Sequence, residues 1–310
     1  MLYFIVNEKS KSGNAKQIWK EIEEVLKVRN VSYQAFVSEY RGHAGKLATE
    51  ICAMDDNDIC LVAVGGDGTA NEVINGITDF EKVRFGVIPT GSGNDLARGL
   101  SLSKDPKNGA IHILNAMKKS REDTWCMDLG EVNFGEKKRL FAISAGIGLD
   151  ALVCKKALKS TIKDILNKIR LGKLTYLVLT VQSLFTMQTA DAEIFFDREE
   201  GLQKKRMIFT AAMNFKAEGG GVPMAPAASA CDGKLSFCEA AGIPKWRTFL
   251  CLPFLVAAKH TSIHGFSVTD AKDCTIRLSR PMVVHADGEY CGEVTEVHFH
   301  CLPGKLRVLK

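Results

Sequence analysis

The chain has 310 residues, of which 46% are hydrophobic and 25% are charged, and its formal net charge at pH 7 is +5. This composition is ordinary for a globular protein and excludes the disordered and fibrous classes. The positive charge is mild and no long run of one sign occurs, so a nucleic-acid partner is not indicated. The length allows two domains with separate cores.

Ten cysteines are present, with no CxxC pair and no ligand-like spacing to histidine. Several lie in apolar runs, which is typical of free thiols in a reducing cytosol. The apolar start at residues 2–6 indicates a first strand rather than a signal peptide. The longest apolar stretch, residues 174–185, contains polar residues and is too short to span a bilayer. We therefore expect a cytoplasmic protein without a transmembrane segment.

The first third of the chain alternates predicted strands and helices. Apolar runs predict strands at 2–6, 33–37, 59–64 and 85–88, and helical spacing of apolar residues predicts helices at 15–28, 44–54 and 110–119. This alternation is typical of a parallel sheet with right-handed crossovers and a ligand crevice at the carboxyl ends of its strands.

The third predicted strand runs into a glycine-rich loop made of Gly65, Gly66, Asp67, Gly68 and Thr69. Glycines let backbone N–H groups approach a phosphate closely. Thr69 followed by Glu72 matches a capping box, which predicts a helix that begins there with its positive end at the phosphate. The Asp67 carboxylate among these amides is explained if it shares a cation such as Mg²⁺ with the phosphates. The alternative is that the whole loop is a plain strand-to-helix turn without a ligand.

The fourth predicted strand ends at Pro89 and leads into a second glycine loop, in which Ser92 and Asp95 predict another helix cap. A purely capping role for Asn94 and Asp95 is the alternative. Because two neighbouring units each place an aspartate at the same sheet edge, we expect a nucleotide and metal site that includes Asp67 and Asp95. The loop after the first strand carries Lys9 and Lys11 and could reach the same phosphates, although a solvated polar loop explains it equally well.

After residue 123 the pattern changes to short alternating runs at 125–131, 139–144, 192–196, 207–213, 234–238, 275–278 and 282–285, which predict an antiparallel β-rich domain. Two helical stretches, 151–185 and 246–259, interrupt it. The first is basic between Lys155 and Lys173, and the second is apolar on more than one face and contains Pro253. This apolar and basic surface indicates an apolar ligand or a membrane, with an ordinary packed amphipathic helix as the alternative.

Two motifs, Gly65-Gly-Asp-Gly-Thr-Ala-Asn-Glu-Val73 and Ile88-Pro-Thr-Gly-Ser-Gly-Asn-Asp-Leu-Ala97, closely resemble the catalytic-domain signature of the diacylglycerol kinase family, and Asp287-Gly-Glu289 resembles its third motif. The resemblance covers essentially the whole chain. It implies an α/β nucleotide-binding domain with a parallel sheet at residues 1–123, similar to those of NAD kinases and phosphofructokinases. It also implies a β-sandwich-like lipid domain with helical insertions at residues 124–304 and a tail at about 305–310 that returns to the first domain.

By position, the resemblance implies that Asp67 organises Mg²⁺ and that ten residues line the ATP phosphates: Asn7, Ser12, Gly13, Gly65, Gly66, Gly68, Thr69, Gly91, Ser92 and Asn94. Asp287 is similar to the family's general base, with Glu289 as its neighbour; on spacing alone, Asp287-Gly288 is also a hairpin turn. Asp232 begins a turn that resembles a structural cation site. Glu8 replaces the family's usual proline, which leaves the roles of Lys9 and Lys11 open.

The implied function is an ATP-dependent and Mg²⁺-dependent lipid kinase, with diacylglycerol as the leading acceptor. Phosphatidylglycerol or a long-chain base could be the acceptor instead. The chain could also be an enzyme similar to NAD kinase, or a catalytically silent lipid or nucleotide sensor. We also expect a lipid substrate at the membrane surface, peripheral association with the inner face of the membrane, and no nucleic-acid partner, while a homodimer remains open.

Overall fold

A computed structural model describes residues 1–10, 15–159, 172–197 and 200–310. The chain divides into two compact units, residues 1–129 with 303–310 and residues 130–302. The sequence placed the change after residue 123, and in the structure the strand β5 (Trp125–Phe134) crosses the division.

The first unit is built on a parallel sheet. Its central strands are β1 (Leu2–Val6), β3 (Ile59–Gly65) and β4 (Val83–Pro89), all buried along their whole length, and β2 (Gln34–Val37) pairs with β1. The end of β14 (Glu289–Val308) adds a parallel partner to β4. In parallel sheets of this kind, helices cover both faces, so both sides of each strand are buried. This is why the strand segments are continuous apolar runs in the sequence rather than alternating apolar and polar residues. The predicted parallel α/β architecture is confirmed.

The helices of the first unit are α1 (Ala15–Val28), α2 (His43–Cys52), α3 (Asp67–Gly76), α4 (Asp95–Gly99) and α5 (Pro106–Ala116). The predicted capping box at Thr69 is wrong, because α3 already begins at Asp67, behind an extended Gly66. The Thr69 hydroxyl accepts a hydrogen bond from Asn7 instead, and Glu72 accepts the N–H of Gly42.

The predicted cap at Ser92 is also wrong. The helix α4 begins after Asn94, which has a left-handed backbone with φ of 53°, and Ser92 lies exposed outside the helix. Asn tolerates this conformation better than most residues with a side chain. The turn into α4 is therefore made by Asn94 and not by a serine cap.

The second unit is antiparallel, as predicted. Its strands are β6 (Lys137–Phe141), β7 (Ser144–Gly148), β8 (Ala190–Phe196), β9 (Leu202–Met207), β10 (Phe209–Met213), β11 (Leu235–Ala240), β12 (Phe266–Ala271) and β13 (Asp273–Ala286). The order across the sheet is β12, β11, β10, β7, β13 and β14, and in addition β8 pairs with β13 and β9 pairs with β8. The single strand predicted at 139–144 is wrong, because it is divided between β6 and β7.

Among the described residues of the second unit, the α-helices are α6 (Leu149–Lys159), α7 (Gly172–Thr186) and α8 (Lys245–Val256). Phe185 of α7 contacts Phe249 of α8, with ring centroids 6.1 Å apart. Within the described ranges, the helices are all too short or too polar to cross a membrane. Most of the basic segment between Lys155 and Lys173 lies outside the described residues.

Candidate functional site

The two glycine loops of the first unit touch through their backbones. A Cβ on Gly91 would lie 2.7 Å from the Cα of Gly66, a distance that real Cβ atoms do not adopt. The N–H of Thr90 donates to the carbonyl of Gly65 at 2.8 Å, so the strand ends are joined as well. The predicted approach of the loops is present, and glycine is required for it. Such backbone concavities at a helix start bind anions.

Asp67 lies where the two loops meet. Its Oδ1 accepts the N–H of Leu96, in the first turn of α4, at 3.1 Å. Its Oδ2 lies 3.0 Å from the position that a Cβ on Gly93 would take. The carboxylate of the first loop is thus held against the second, and its half-buried side chain offers the hard oxygen donors that Mg²⁺ prefers.

The opening loop is tied to both glycine loops. Asn7 donates through Nδ2 to Thr69 Oγ1 at 3.0 Å, and the hydroxyls of Ser10 and Thr90 are 2.5 Å apart. Lys9 donates through Nζ to the carbonyl of Glu39 at 2.6 Å, so here its ammonium group binds backbone. The predicted phosphate residues Ser12 and Gly13, together with Lys11, lie outside the described residues.

The second loop is stabilised from within. The side chain of Asn94 accepts the N–H of Gly91 and donates to its carbonyl, both at 2.9 Å. Asp95 is buried and pairs with the guanidinium group of Arg98. This pair offsets the negative charge of Asp95, whose role as a metal ligand stays a prediction. Gly68 lies in the first turn of α3.

Asp287 lies in the second unit, in the two-residue turn between β13 and β14. Asp287 and Gly288 have φ angles of 47° and 79°, the left-handed pair that a type I′ hairpin requires. The Asp-Gly sequence therefore does form a hairpin turn. Its carboxylate also accepts three backbone N–H groups, from Ala142 at 2.8 Å, Ile143 at 2.8 Å and Ser144 at 3.1 Å.

These three amides explain how Asp287 is fixed. Ala142 and Ile143 lie between β6 and β7, and Ser144 is the first residue of β7. Buried amides need an acceptor, and the Asp287 carboxylate provides it. Hydrogen bonds to a charged acceptor are stronger than those between neutral groups. The Asp287 N–H also donates to the carbonyl of Ser144 at 2.8 Å. The turn therefore holds a half-buried carboxylate in one place, with Glu289 next to it as the first residue of β14.

A cluster behind this turn was missed from the sequence. His285, which is 2% exposed, lies with Nε2 3.1 Å from Asp150 Oδ2, and its Nδ1 accepts the N–H of Gly288 at 3.2 Å. The third member is Glu218, which accepts the hydroxyl of Ser144. Ligand atoms of the three side chains lie within 4.8 Å of one another. His285 stands two residues before Asp287, but its partners are distant in sequence, so spacing gave no signal.

The charge around His285 changes its pKa. Burial by itself would lower the pKa, but the hydrogen bond that the ring donates to Asp150 and the negative charges of Asp150, Glu218 and Asp287 outweigh burial and raise the pKa above its ordinary value. Asp232, by contrast, is exposed, and its carboxylate accepts the N–H of Lys234 at 3.1 Å, which closes a turn before β11. A cation at Asp232 stays a prediction.

The sequence matches two family models, the diacylglycerol kinase catalytic domain over residues 1–127 and the YegS C-terminal NAD kinase beta sandwich-like domain over residues 144–310. "Putative lipid kinase YtlR" of Bacillus subtilis (strain 168) is 30% identical over 99% of this chain and 98% of its own length. A diacylglycerol kinase of the same organism is 28% identical over 81% of this chain and 76% of its own.

Solved structures show the same fold. A diacylglycerol kinase structure from Bacillus anthracis str. Sterne has a TM-score of 0.70 at 18% identity and covers 99% of this chain and 96% of its own. An NAD kinase from Archaeoglobus fulgidus, solved in complex with ATP, has a TM-score of 0.54 at 14% identity and covers 100% of this chain and 94% of its own. The expected likeness to NAD kinases is confirmed at the level of the fold. With both of its parts matched, the chain belongs to the diacylglycerol kinase family of lipid kinases.

Proposed function

We propose that this lipid kinase transfers the γ-phosphate of ATP to the hydroxyl of diacylglycerol and produces phosphatidic acid. The observation that carries the proposal is the contact of the two glycine loops at Gly66 and Gly91, with the Asp67 carboxylate beside it. An ATP-bound NAD kinase with the same fold supports ATP as the donor, and relatives named diacylglycerol kinase support the acceptor.

Mg²⁺ fits the first unit through the chemistry of its donors. The ion would be held by the carboxylate of Asp67, and when bound it would neutralise phosphate charge. The backbone N–H groups of the glycine loops and the start of α3 would bind phosphate oxygens, since the first amides of a helix have no partner inside the helix. Asn7 and Asn94 would keep these loops in place through the hydrogen bonds described above.

Asp287 would orient the acceptor hydroxyl and take its proton. In the transfer, the lipid oxygen forms a bond to the γ-phosphorus, the bond from that phosphorus to the bridging oxygen breaks, and ADP leaves. Such reactions depend mostly on alignment and charge stabilisation, so a fixed carboxylate is more useful than a mobile one. The three amides that hold Asp287 provide that fixed position.

We further propose peripheral contact with an anionic membrane surface through α8. One face of this helix packs inward through Thr248, Cys251 and Leu255, and large apolar side chains are exposed on the rest of it: Trp246, Phe249, Leu250, Phe254 and Val256. Residues 240–269 contain no Asp or Glu but do contain Lys245, Arg247 and Lys259. An exposed apolar face with basic residues beside it is suited to an interface of anionic lipid.

The test is transfer of labelled phosphate from ATP and Mg²⁺ to mixed micelles of diacylglycerol, with parallel micelles of phosphatidylglycerol and sphingosine and with soluble NAD. We expect labelled phosphatidic acid. If another lipid is labelled, the protein is still a lipid kinase but its acceptor is not diacylglycerol. If NAD is labelled, the proposal of a lipid acceptor is rejected. Binding of ATP with no transfer to any acceptor would favour a sensor.

A further inference from the structure

We propose that His285 and Asp150 are positioning residues for Asp287, and that they work with His285 as a neutral imidazole protonated on Nε2. This inference rests on the proposed role of Asp287 as the base. It adds two residues that would act through the turn that carries Asp287.

The tautomer follows from the two partners of the ring. Nδ1 faces a backbone N–H, that of Gly288 at 3.2 Å, and a nitrogen that accepts a hydrogen bond carries no proton. The proton of the neutral ring is therefore on Nε2, where it is donated to Asp150 at 3.1 Å. Gly288 is the second residue of the Asp287 turn, so the ring holds the backbone that presents the carboxylate.

The pair of Asp150 and His285 packs closely against the backbone of Gly146. A Cβ on Gly146 would lie 1.8 Å from Asp150 Oδ2 and 3.0 Å from His285 Nε2. Gly146 is also the partner of His285 in the pairing of β7 with β13. Asp150 is nine-tenths buried, and its Oδ1 has no hydrogen-bond partner among the residues that the structure describes. We therefore assign the Asp150 carboxylate as the hydrogen-bond acceptor of His285 Nε2.

A cation could be placed in the same cluster, since ligand atoms of Asp150, Glu218 and His285 lie within 4.8 Å. A metal on Nε2 would require the ring proton to move to Nδ1. There it would face the N–H of Gly288, donor against donor, and the turn would lose its hydrogen bond. The observed contacts therefore favour the hydrogen-bonded pair.

A second proton on the ring has the same consequence. It must go to Nδ1 and displace the N–H of Gly288, which would release the turn. Three carboxylates face the ring, Asp150 from α6, Glu218 from the loop after β10 and Asp287 from the turn itself, and they raise the pKa of His285 against the effect of burial. We expect kcat to fall on the acid side as His285 becomes protonated.

The first experiment compares the pH dependence of kcat in the wild type and in Asp150→Asn. The asparagine oxygen can still accept the Nε2 proton, but the negative charge is gone, so protonation of His285 and the acid limb of kcat should move to lower pH. The KM for ATP should stay unchanged, because we assign ATP binding to the other unit. An acid limb that does not move would overturn the proposal.

The second experiment compares His285→Asn with His285→Leu. Asparagine can place its oxygen near the position of Nδ1 and accept the N–H of Gly288, whereas leucine cannot. We expect kcat to be at least about tenfold higher in the asparagine variant than in the leucine variant, because the position of a catalytic group is worth this much. Equal kcat values in two folded variants would contradict a positioning role.

The matched control is Asp273→Asn. Asp273 lies 2.6 Å from His300 Nδ1 and 3.2 Å from His298 Nε2, in a second aspartate and histidine group that is part-exposed. Its loss should leave the acid limb unchanged.

Independently of activity, ¹⁵N NMR of histidine-labelled whole protein should find the Nδ1 of His285 unprotonated. A protonated Nδ1 would overturn the tautomer that we assign to His285, whether or not any lipid is phosphorylated. If Nδ1 is unprotonated but no phosphate is transferred, the result would instead count against the proposed kinase function.

Discussion

A Cβ on Gly91 would lie 2.7 Å from the Cα of Gly66, so the two glycine loops of the first unit are in backbone contact. Gly91→Ala should therefore push them apart and displace the proposed phosphate amides. We expect weaker ATP binding and a loss of about 1–3 kcal/mol in the free energy of unfolding, as for other overpacked sites. Calorimetric titration with ATP and denaturant unfolding measure the two effects.

Gly109→Ala is the matched control. Gly109 lies in α5 of the same unit, and an added Cβ would meet Ile88 only at ordinary contact distances of 3.7 and 3.8 Å. Alanine is favoured over glycine inside a helix by up to about 1 kcal/mol, so this variant should be at least as stable as the wild type. Unchanged ATP binding in Gly91→Ala would mean that the loop contact does not shape the nucleotide site.

Asp287→Asn should affect turnover and stability together. The variant loses the proposed base, which lowers kcat by roughly 100-fold or more. Its NH₂ group must also face one of the backbone donors at residues 142–144, a mismatch that costs about 1–3 kcal/mol. ATP binding, which we assign to the other unit, should remain. Phosphate transfer, thermal unfolding and ATP titration separate the three quantities.

Asp197→Asn controls for the structural part of that loss. Asp197 also has a left-handed backbone, with φ of 44°, and its carboxylate accepts the N–H groups of Lys272 and Asp273. We expect a similar loss of stability with kcat retained. If both variants kept most of their turnover, Asp287 would have only the structural role that its three hydrogen bonds already provide.

The glycine loops could be predicted because strand, glycines and aspartate are contiguous in the sequence. The anchor of Asp287 could not, because the amides of residues 142–144 approach it across more than 140 positions of the chain. The hydrogen bond between His285 and Asp150 could not be predicted for the same reason, because these two residues are 135 positions apart in the sequence. Both cap predictions failed because α3 already begins at Asp67, which places Thr69 inside the helix, and because Asn94 itself makes the turn before α4. The strand β12 was missed since polar residues such as Ser267 and Asp270 interrupt its apolar pattern.

Thiol chemistry should separate the cysteines by burial. Burial raises the pKa of the Cys60 and Cys291 thiols to about 11 each, so at pH 8 almost none of either is thiolate, the reactive form. Cys126 and Cys231 are exposed and should react first with a disulfide reagent. The fast phase should disappear in the double variant Cys126→Ser and Cys231→Ser. A fast phase that survives would show that one of the less exposed thiols is accessible in solution.

The exposed apolar face of α8 predicts how the protein responds to a lipid surface. Leu250 is 57% exposed there, and transferring a leucine side chain out of water is worth about 1.5–3 kcal/mol. Leu250→Ser should therefore weaken sedimentation with anionic vesicles by about tenfold or more, and should raise the apparent KM for micellar lipid while thermal stability stays unchanged. Leu202→Ser is the control, because Leu202 is similarly exposed, at 48%, but lies on β9. Equal vesicle binding by both variants would remove α8 from the interface, whereas a loss confined to Leu250→Ser would assign membrane contact to this helix.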